Sequence, residues 1–279
     1  MNAIPKIPMG EWVEAFVAFL DTYFGGFFEF ITNLIDTIID GFSSALMFLP
    51  PVVLVALLML VVWLLTNRTI ALWSGVGLLL ILNLGMWEPA MSTLALVLSA
   101  TVLSLVMGIP VGILTAWSDL ADRIMRPILD FMQTMPPFVY LVPAVLLFNI
   151  GEVPALVATV IFAMPPVIRL TGLGIRQVPK DLLEAAQAFG ATRLQMLGKV
   201  QLPLALPTIM AGVNQCIMLA LSMVVIAAMI GAGGLGGEVL RGLQRLDVPR
   251  AFESGLAIVI VAIILDRITQ KIGGRRKKR

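Results

Sequence analysis

Hydrophobic residues in this chain fall in long unbroken runs separated by short polar stretches, unlike the alternating or one-faced patterns of a soluble core. Runs near 50–66, 69–86, 91–117, 133–150, 153–172, 205–230 and 252–268 approach or reach the ~20 apolar residues a helix needs to cross a bilayer. They predict an all-α polytopic membrane protein with about seven transmembrane helices. Ahead of them, residues 11–24 and 27–42 carry apolar positions at helical spacing: Phe27, Ile31, Leu34, Ile35, Ile38 and Phe42. Glu29, Asp36 and Asp40 lie toward the other face, and Gly25-Gly26 is expected to separate the two pieces. Acids at this density make a transbilayer course costly. Residues 1–47 therefore read as an acidic, extracytoplasmic amphipathic segment lying in the membrane interface, with packing against the other spans nearly as good a reading.

Composition agrees with this pattern: 59% of the 279 residues are hydrophobic and 13% charged, where soluble domains carry roughly a quarter charged. The chain has no His and one Cys, Cys216, so it forms no internal disulfide, and a His-based catalyst or Cys/His metal cluster is excluded. No metal site is expected. Charge is distributed unevenly. Residues 1–47 hold Lys6 against Glu11, Glu14, Asp21, Glu29, Asp36 and Asp40, whereas 271–279 contains Lys271, Arg275, Arg276, Lys277, Lys278, Arg279 and no acid. Basic flanks stay in the cytoplasm, which puts the tail 271–279 inside. Seven spans (48–270) then keep Arg68, Arg123, Arg126, Arg169, Arg176, Lys180, Arg193 and Lys199 inside as well. Segment 231–250, with Arg241, Arg245 and Arg250, falls outside and breaks the rule locally. No basic segment followed by one short apolar core opens the chain, so no cleaved signal peptide is expected.

Pro110, Pro136, Pro137, Pro143, Pro165 and Pro166 fall in or beside spans, so bent or broken helices are expected there. Gly108-Ile-Pro-Val-Gly112 offers a small face for close helix packing.

One stretch between spans is polar and helix-forming. Pro179 suits a first turn, and Asp181 and Glu184 complement the positive end of the helix dipole. Leu182, Ala185, Ala186 and Phe189 share a face, and Gly190 provides the left-handed residue that stops the helix. Thr192-Arg-Leu-Gln195 is a capping box that starts a second helix, and Pro203 is expected to close the island. The pattern predicts two short helices at a sharp angle. It serves equally a loop covering its own bundle and a dock for a partner.

Glu184-Ala185-Ala186, Gly190, Val200 and Leu202-Pro203 are spaced as in the EAA loop of ATP-binding-cassette import permeases, with Val200 where Ile is more usual. Pro136-Pro137-Phe-Val-Tyr-Leu-Val-Pro143, Val160-Ile-Phe-Ala-Met-Pro-Pro166, Ala211-Gly-Val-Asn214-Gln215 and Asp266-Arg267-Ile-Thr-Gln270 resemble the glycine betaine/proline betaine permeases, a likeness running over about 85–272. The resemblance implies a type I importer permease fold in a bacterial cytoplasmic (inner) membrane. It implies a dimer of this chain as the pathway, two copies of a cytoplasmic ATPase holding ATP and Mg, and an extracytoplasmic substrate-binding protein. It also implies that the loop 176–203 meets the ATPase through Glu184, Ala185, Ala186, Phe189, Gly190, Ala191, Thr192, Leu202 and Pro203. The cargo implied is a quaternary-ammonium osmoprotectant: glycine betaine, and with it proline betaine, carnitine or choline. Another small solute such as an amino acid, or an ion-coupled carrier, are the alternatives.

The chain itself is expected to bind no cofactor and no nucleic acid, and to be no enzyme. Gly231-Ala-Gly233-Gly-Leu-Gly236 has dinucleotide-site spacing but no βαβ unit around it, so a flexible extracellular hinge or a tight backbone turn is expected. Aromatic faces hold quaternary ammonium, which makes Phe138, Tyr140 and Phe148, with Asn214, a possible substrate path; ordinary packing suits each of them as well. Asp266-Arg267 reads as a local ion pair, and the basic tail suits anionic membrane lipids.

Overall fold

The computed structural model describes residues 9–274, which are helical with no strand among them. The helices are α1 (Met9–Met47), α2 (Pro51–Leu65), α3 (Arg68–Asn83), α4 (Trp87–Trp117), α5 (Asp119–Thr134), α6 (Pro137–Phe148), α7 (Glu152–Ala163), α8 (Pro165–Arg176), α9 (Lys180–Ala188), α10 (Arg193–Met196), α11 (Leu202–Ala228), α12 (Gly234–Arg245) and α13 (Val248–Gly274). A π-helical turn, Leu197–Gln201, joins α10 to α11.

Among the described residues, four helical stretches are long and apolar enough to cross a membrane alone: Trp87–Trp117, Glu152–Arg176, Arg193–Ala228 and Val248–Lys271. Two bent pairs raise the number to as many as six. The expected first two spans are α2 and α3, of 15 and 16 residues, which form a hairpin shorter than a usual span. Asn67 at its tip accepts a hydrogen bond from the Ile70 N–H at 2.9 Å and so caps α3.

The run 133–150, expected as one span, is a corner. Asp119–Thr134 and Pro137–Phe148 meet at 99°. Met135 and Pro136, each followed by a proline, take extended backbone, as residues before proline prefer. The Tyr140 hydroxyl donates to the Met132 carbonyl, one of the last carbonyls of α5 that no helical N–H can reach, and braces the corner. In contrast, α7 and α8 pass through Pro165-Pro166 as one span, because both prolines lie in the first turn of α8.

The N-terminal helix also departs from expectation. It stays helical through Gly25-Gly26, and its bend of 69° falls instead between Gly10–Leu20 and Thr22–Met47. Ile35 and Ile39 are buried in the core, with Ile31 beside them, and α1 packs on α4, α6 and α7. Phe27 and Leu34 face outward with Trp12, Phe19, Tyr23 and Phe30. Where hydrocarbon can be the solvent, an apolar stripe does not mark which face turns inward.

The core is formed by α4, α8 and α11, with α8 in the middle. A Cβ on Gly112 would lie 2.6 Å from Thr171 Cβ and 2.8 Å from the Ile168 carbonyl, so the α4 backbone rests directly on α8. On the other side, a Cβ on Gly212 would lie 3.0 Å from the Pro166 carbonyl. The Gly108–Gly112 face thus packs as its spacing predicts.

At the far end of the bundle, the Gly231–Gly236 stretch is a tight turn with Gly231 at φ 96° and Gly234 at φ 69°, anchored where the Leu235 N–H donates to Thr93 Oγ1 at 2.8 Å. Beyond it, buried Glu238 receives Arg241 at 2.7 Å and Arg250 at 2.5 Å. Two of the three cations that break the charge rule therefore share one buried carboxylate. The basic residues 275–279 lie outside the described residues.

Gly112→Leu is expected to push α4 off α8 and cost about 1–3 kcal/mol, seen as a lower unfolding midpoint of the detergent-solubilised protein. Glu238→Ala should leave two guanidinium groups unpaired beside α12 and raise protease cleavage within 234–250, with the rest of the bundle unchanged.

Candidate functional site

At one end of the bundle α8 gives way to the polar stretch. Val178 is buried as an anchor, Pro179 is extended at φ −54°, ψ 133°, and α9 starts at Lys180 with Asp181 in its first turn. The helix stops in a two-bond terminus: the Gly190 N–H donates to the Gln187 carbonyl at 2.8 Å and the Ala191 N–H to the Ala186 carbonyl at 3.0 Å. This closure requires a left-handed residue, and Gly190 supplies φ 80°.

Two residues later the chain turns helical again. Thr192 Oγ1 accepts from the Gln195 N–H at 3.3 Å, and Gln195 Oε1 accepts from the Thr192 N–H at 2.9 Å. This is the reciprocal cap expected from the sequence. The expected stop at Pro203 does not occur. The π turn at Leu197–Gln201, with the Leu202 N–H reaching back to Leu197, carries the helix through the proline, and Arg193–Ala228 is one continuous stretch. An ordinary helix would set the proline ring against the carbonyl four residues back; the extra residue in the turn shifts that register.

The surface of this loop has little cover from its own chain. No residue of α9 or α10 is buried. Phe189 is 93% exposed, Leu194 72% and Leu182 44%. Glu184, Ala185, Gly190 and Thr192 are exposed with them, while Ala186, Ala191, Leu202 and Pro203 are half-buried where the loop meets the bundle.

An ionic network holds the entry to the loop. Arg176, the last residue of α8, donates to the Thr115 carbonyl at 2.6 Å and lies 3.1 Å from Asp119. Asp122 receives Arg126 at 2.6 Å, a hydrogen bond that holds its carboxyl below the usual carboxylate range. Arg169 meets Asp130 at 2.5 Å. The Asp119–Arg176 and Asp130–Arg169 pairs tie the surface helix α5 to α8 around a cavity of about 360 Å³. These pairs are not among those expected from the sequence, although Arg169 and Arg176 are seven residues apart, and so share a helix face, as do the acids of α5.

The residues expected to line a substrate path do not converge. Phe138 is 51% exposed on the outside of α6, and Tyr140 is buried at the corner brace. Phe148 lies at the other end of α6, packed edge-on against Phe28 with ring centroids 5.5 Å apart. Asn214 is a clamp between helices: its amide donates to Asp266 at 3.0 Å and its carbonyl accepts from Thr269 at 2.5 Å, joining α11 to α13. Asp266 takes a further pair of bonds at 2.8 Å from Gln270, so the expected ion pair with Arg267 does not form.

Known proteins resemble this chain in sequence and in fold. The chain is 52% identical over 279 residues to the glycine betaine transport system permease protein OpuAB of Bacillus subtilis, covering 100% of this chain and 99% of that protein. It is 52% identical over 273 residues to the glycine betaine/proline betaine transport system permease protein ProW of Escherichia coli, covering 98% of this chain and 77% of ProW. A solved structure of the MetNI methionine ABC transporter, facing inward, superposes with a TM-score of 0.59 at 24% identity over 67% of this chain and 93% of that one. At that identity the likeness concerns the fold, that of a type I ABC importer permease. The model of binding-protein-dependent transport system inner membrane components matches residues 108–278, the part that holds the glycine-packed core and the capped loop. The chain belongs to that family, as a membrane-embedded transport subunit and not an enzyme.

Proposed function

We propose that this chain is the membrane-spanning subunit of an ATP-driven importer of quaternary-ammonium osmoprotectants, glycine betaine first among them. The observation that carries the coupling half of this reading is an uncovered apolar knob, Phe189, on a loop whose caps hold it rigid. The cargo rests on the relatives, which are named for glycine betaine and proline betaine.

In this reading the loop 176–203 docks in a groove of a cytoplasmic ATPase. Phe189 and Leu194 serve as knobs, Ala185 and Gly190 admit a close backbone, and Glu184 marks the polar edge. ATP and Mg stay on that partner. Two copies of the chain enclose the pathway, and closure of the two cassettes moves both loops. Because α8 enters the loop, α11 leaves it and the two pack against each other, displacement of the loop shifts the core of the bundle. The C-terminal tail lies in the cytoplasm with the loop, as the fold supports: α11 runs away from the loop, and the Asn214 clamp joins it to the last residues of the returning α13. Residues 1–47 then lie at the opposite, extracytoplasmic end. There segment 231–250 forms part of the surface on which a substrate-binding protein delivers cargo.

Phe189→Asp is expected to reduce ATPase binding by about 2 kcal/mol or more, ~30-fold in Kd, and to abolish ATP-driven uptake while the protein stays inserted; unimpaired uptake overturns the docking role. Labelled glycine betaine should enter proteoliposomes holding the whole complex only when ATP and the binding protein are present. ATP-independent uptake, or uptake of amino acids with no betaine transport, would sink the proposed cargo cycle.

A further inference from the structure

Two apolar grooves flank α3, and each ends at an arginine. The first, of about 450 Å³ between α2 and α3, is lined by Ala56, Met59, Leu60, Trp63 and Leu72 and closed by Arg68. The second, of about 470 Å³ between α3 and α13, is lined by Trp73, Gly77, Leu80, Ile260 and Ile264 and closed by Arg267. Helices α3 and α13 run antiparallel, so the start of the one and the end of the other lie at the same end of the bundle. Leu84, just past the end of α3, lines one cavity with Pro249 and Arg250 at the start of α13, and Ile70 near the start of α3 lines the second groove with Arg267 near the end of α13. Trp63 and Trp73 are exposed near that end, and the Arg68 guanidinium sits 5.6 Å from the Trp63 ring.

The arginines decide what the grooves hold. On the spanning helix α8, Arg169 and Arg176 each have a carboxylate. Arg68 and Arg267 have none among the described residues, and Asp266 beside Arg267 is taken up by Asn214 and Gln270. Cations beside tryptophans at the end of an apolar surface mark the headgroup level of a bilayer. The flanking hairpin is also short: helices of 15 and 16 residues reach about 22–24 Å, under the ~30 Å of a hydrocarbon core. Lipid must adapt locally to that mismatch. A protein partner would have to carry carboxylates to the membrane surface at this depth. A phospholipid brings its phosphate there by its own structure.

We propose that this face is a binding site for anionic phospholipid, each groove holding an acyl chain and each arginine pairing with the phosphate above it. The site is separate from the docking loop and depends on neither the cargo nor the ATPase. The test is native mass spectrometry of the complete transport complex extracted from bilayers of equal phosphatidylglycerol and phosphatidylcholine. The wild type should retain phosphatidylglycerol in preference. Arg68→Gln with Arg267→Gln should lower that retention about five-fold per arginine, from ~1 kcal/mol per interfacial charge, while the Arg→Lys pair keeps it. The basic tail is the same in every variant, so its contribution cancels. Should the glutamine pair fail to insert, Trp73→Ala with both arginines intact should reduce retained lipid by opening the second groove. Equal retention of the two lipids by the wild type overturns the proposal. So does undiminished phosphatidylglycerol in the glutamine or alanine variant, or a second copy of the chain cross-linked into the grooves.

Discussion

Backbone-to-backbone contact of α8 with both its neighbours is the constraint on which the rest of this molecule depends. Hydrocarbon gives helices no hydrophobic reason to associate, so they stay together through close fit. Gly112 brings α4 onto α8, and Gly212 brings α11 onto α8 from the other side. These three helices therefore behave as one slab. The loop between α8 and α11 is consequently no appendage: both its ends are set in the slab, and a force on it has no slack to take up.

Polar groups in this fold act where packing alone leaves a choice. Asn214, Asp266 and Thr269 fix how α13 sits on α11. Arg176 closes the carbonyl end of α4 and takes Asp119 from α5 as well. Glu238 gathers two arginines at the opposite end. The Arg176–Asp119 pair is exposed and worth little alone, but each of these groups joins elements that are otherwise apolar and free to slide. Arg241 and Arg250 share the one carboxylate of Glu238, and that sharing tethers the start of α13 to α12.

Much of the loop was legible in the sequence because its devices are local. Pro179, Gly190 and the Thr192–Gln195 pair each act within one turn, and each appears as its chemistry requires. Features that depend on neighbours were not legible. Pro203 reads as a stop, and only the π turn before it lets the helix continue. Pro136-Pro137 reads as a kink in a span, yet the chain turns a corner of 99° there, with the acids of α5 paired to arginines of α8. Aromatic residues were the least informative. In a membrane protein, Phe138 on the outside and Tyr140 in the core have the same sequence signature.

The continuity of α10 with α11 has a mechanical meaning. Nine residues of that helix precede Leu202 and 26 follow it, about 13 Å and 39 Å of rise. Gln201, buried at the junction, sits where the two arms meet. The short arm stands in the loop and the long arm is seated on α8 at Gly212, so a displacement of the short arm passes into the packed helices instead of being absorbed at a joint.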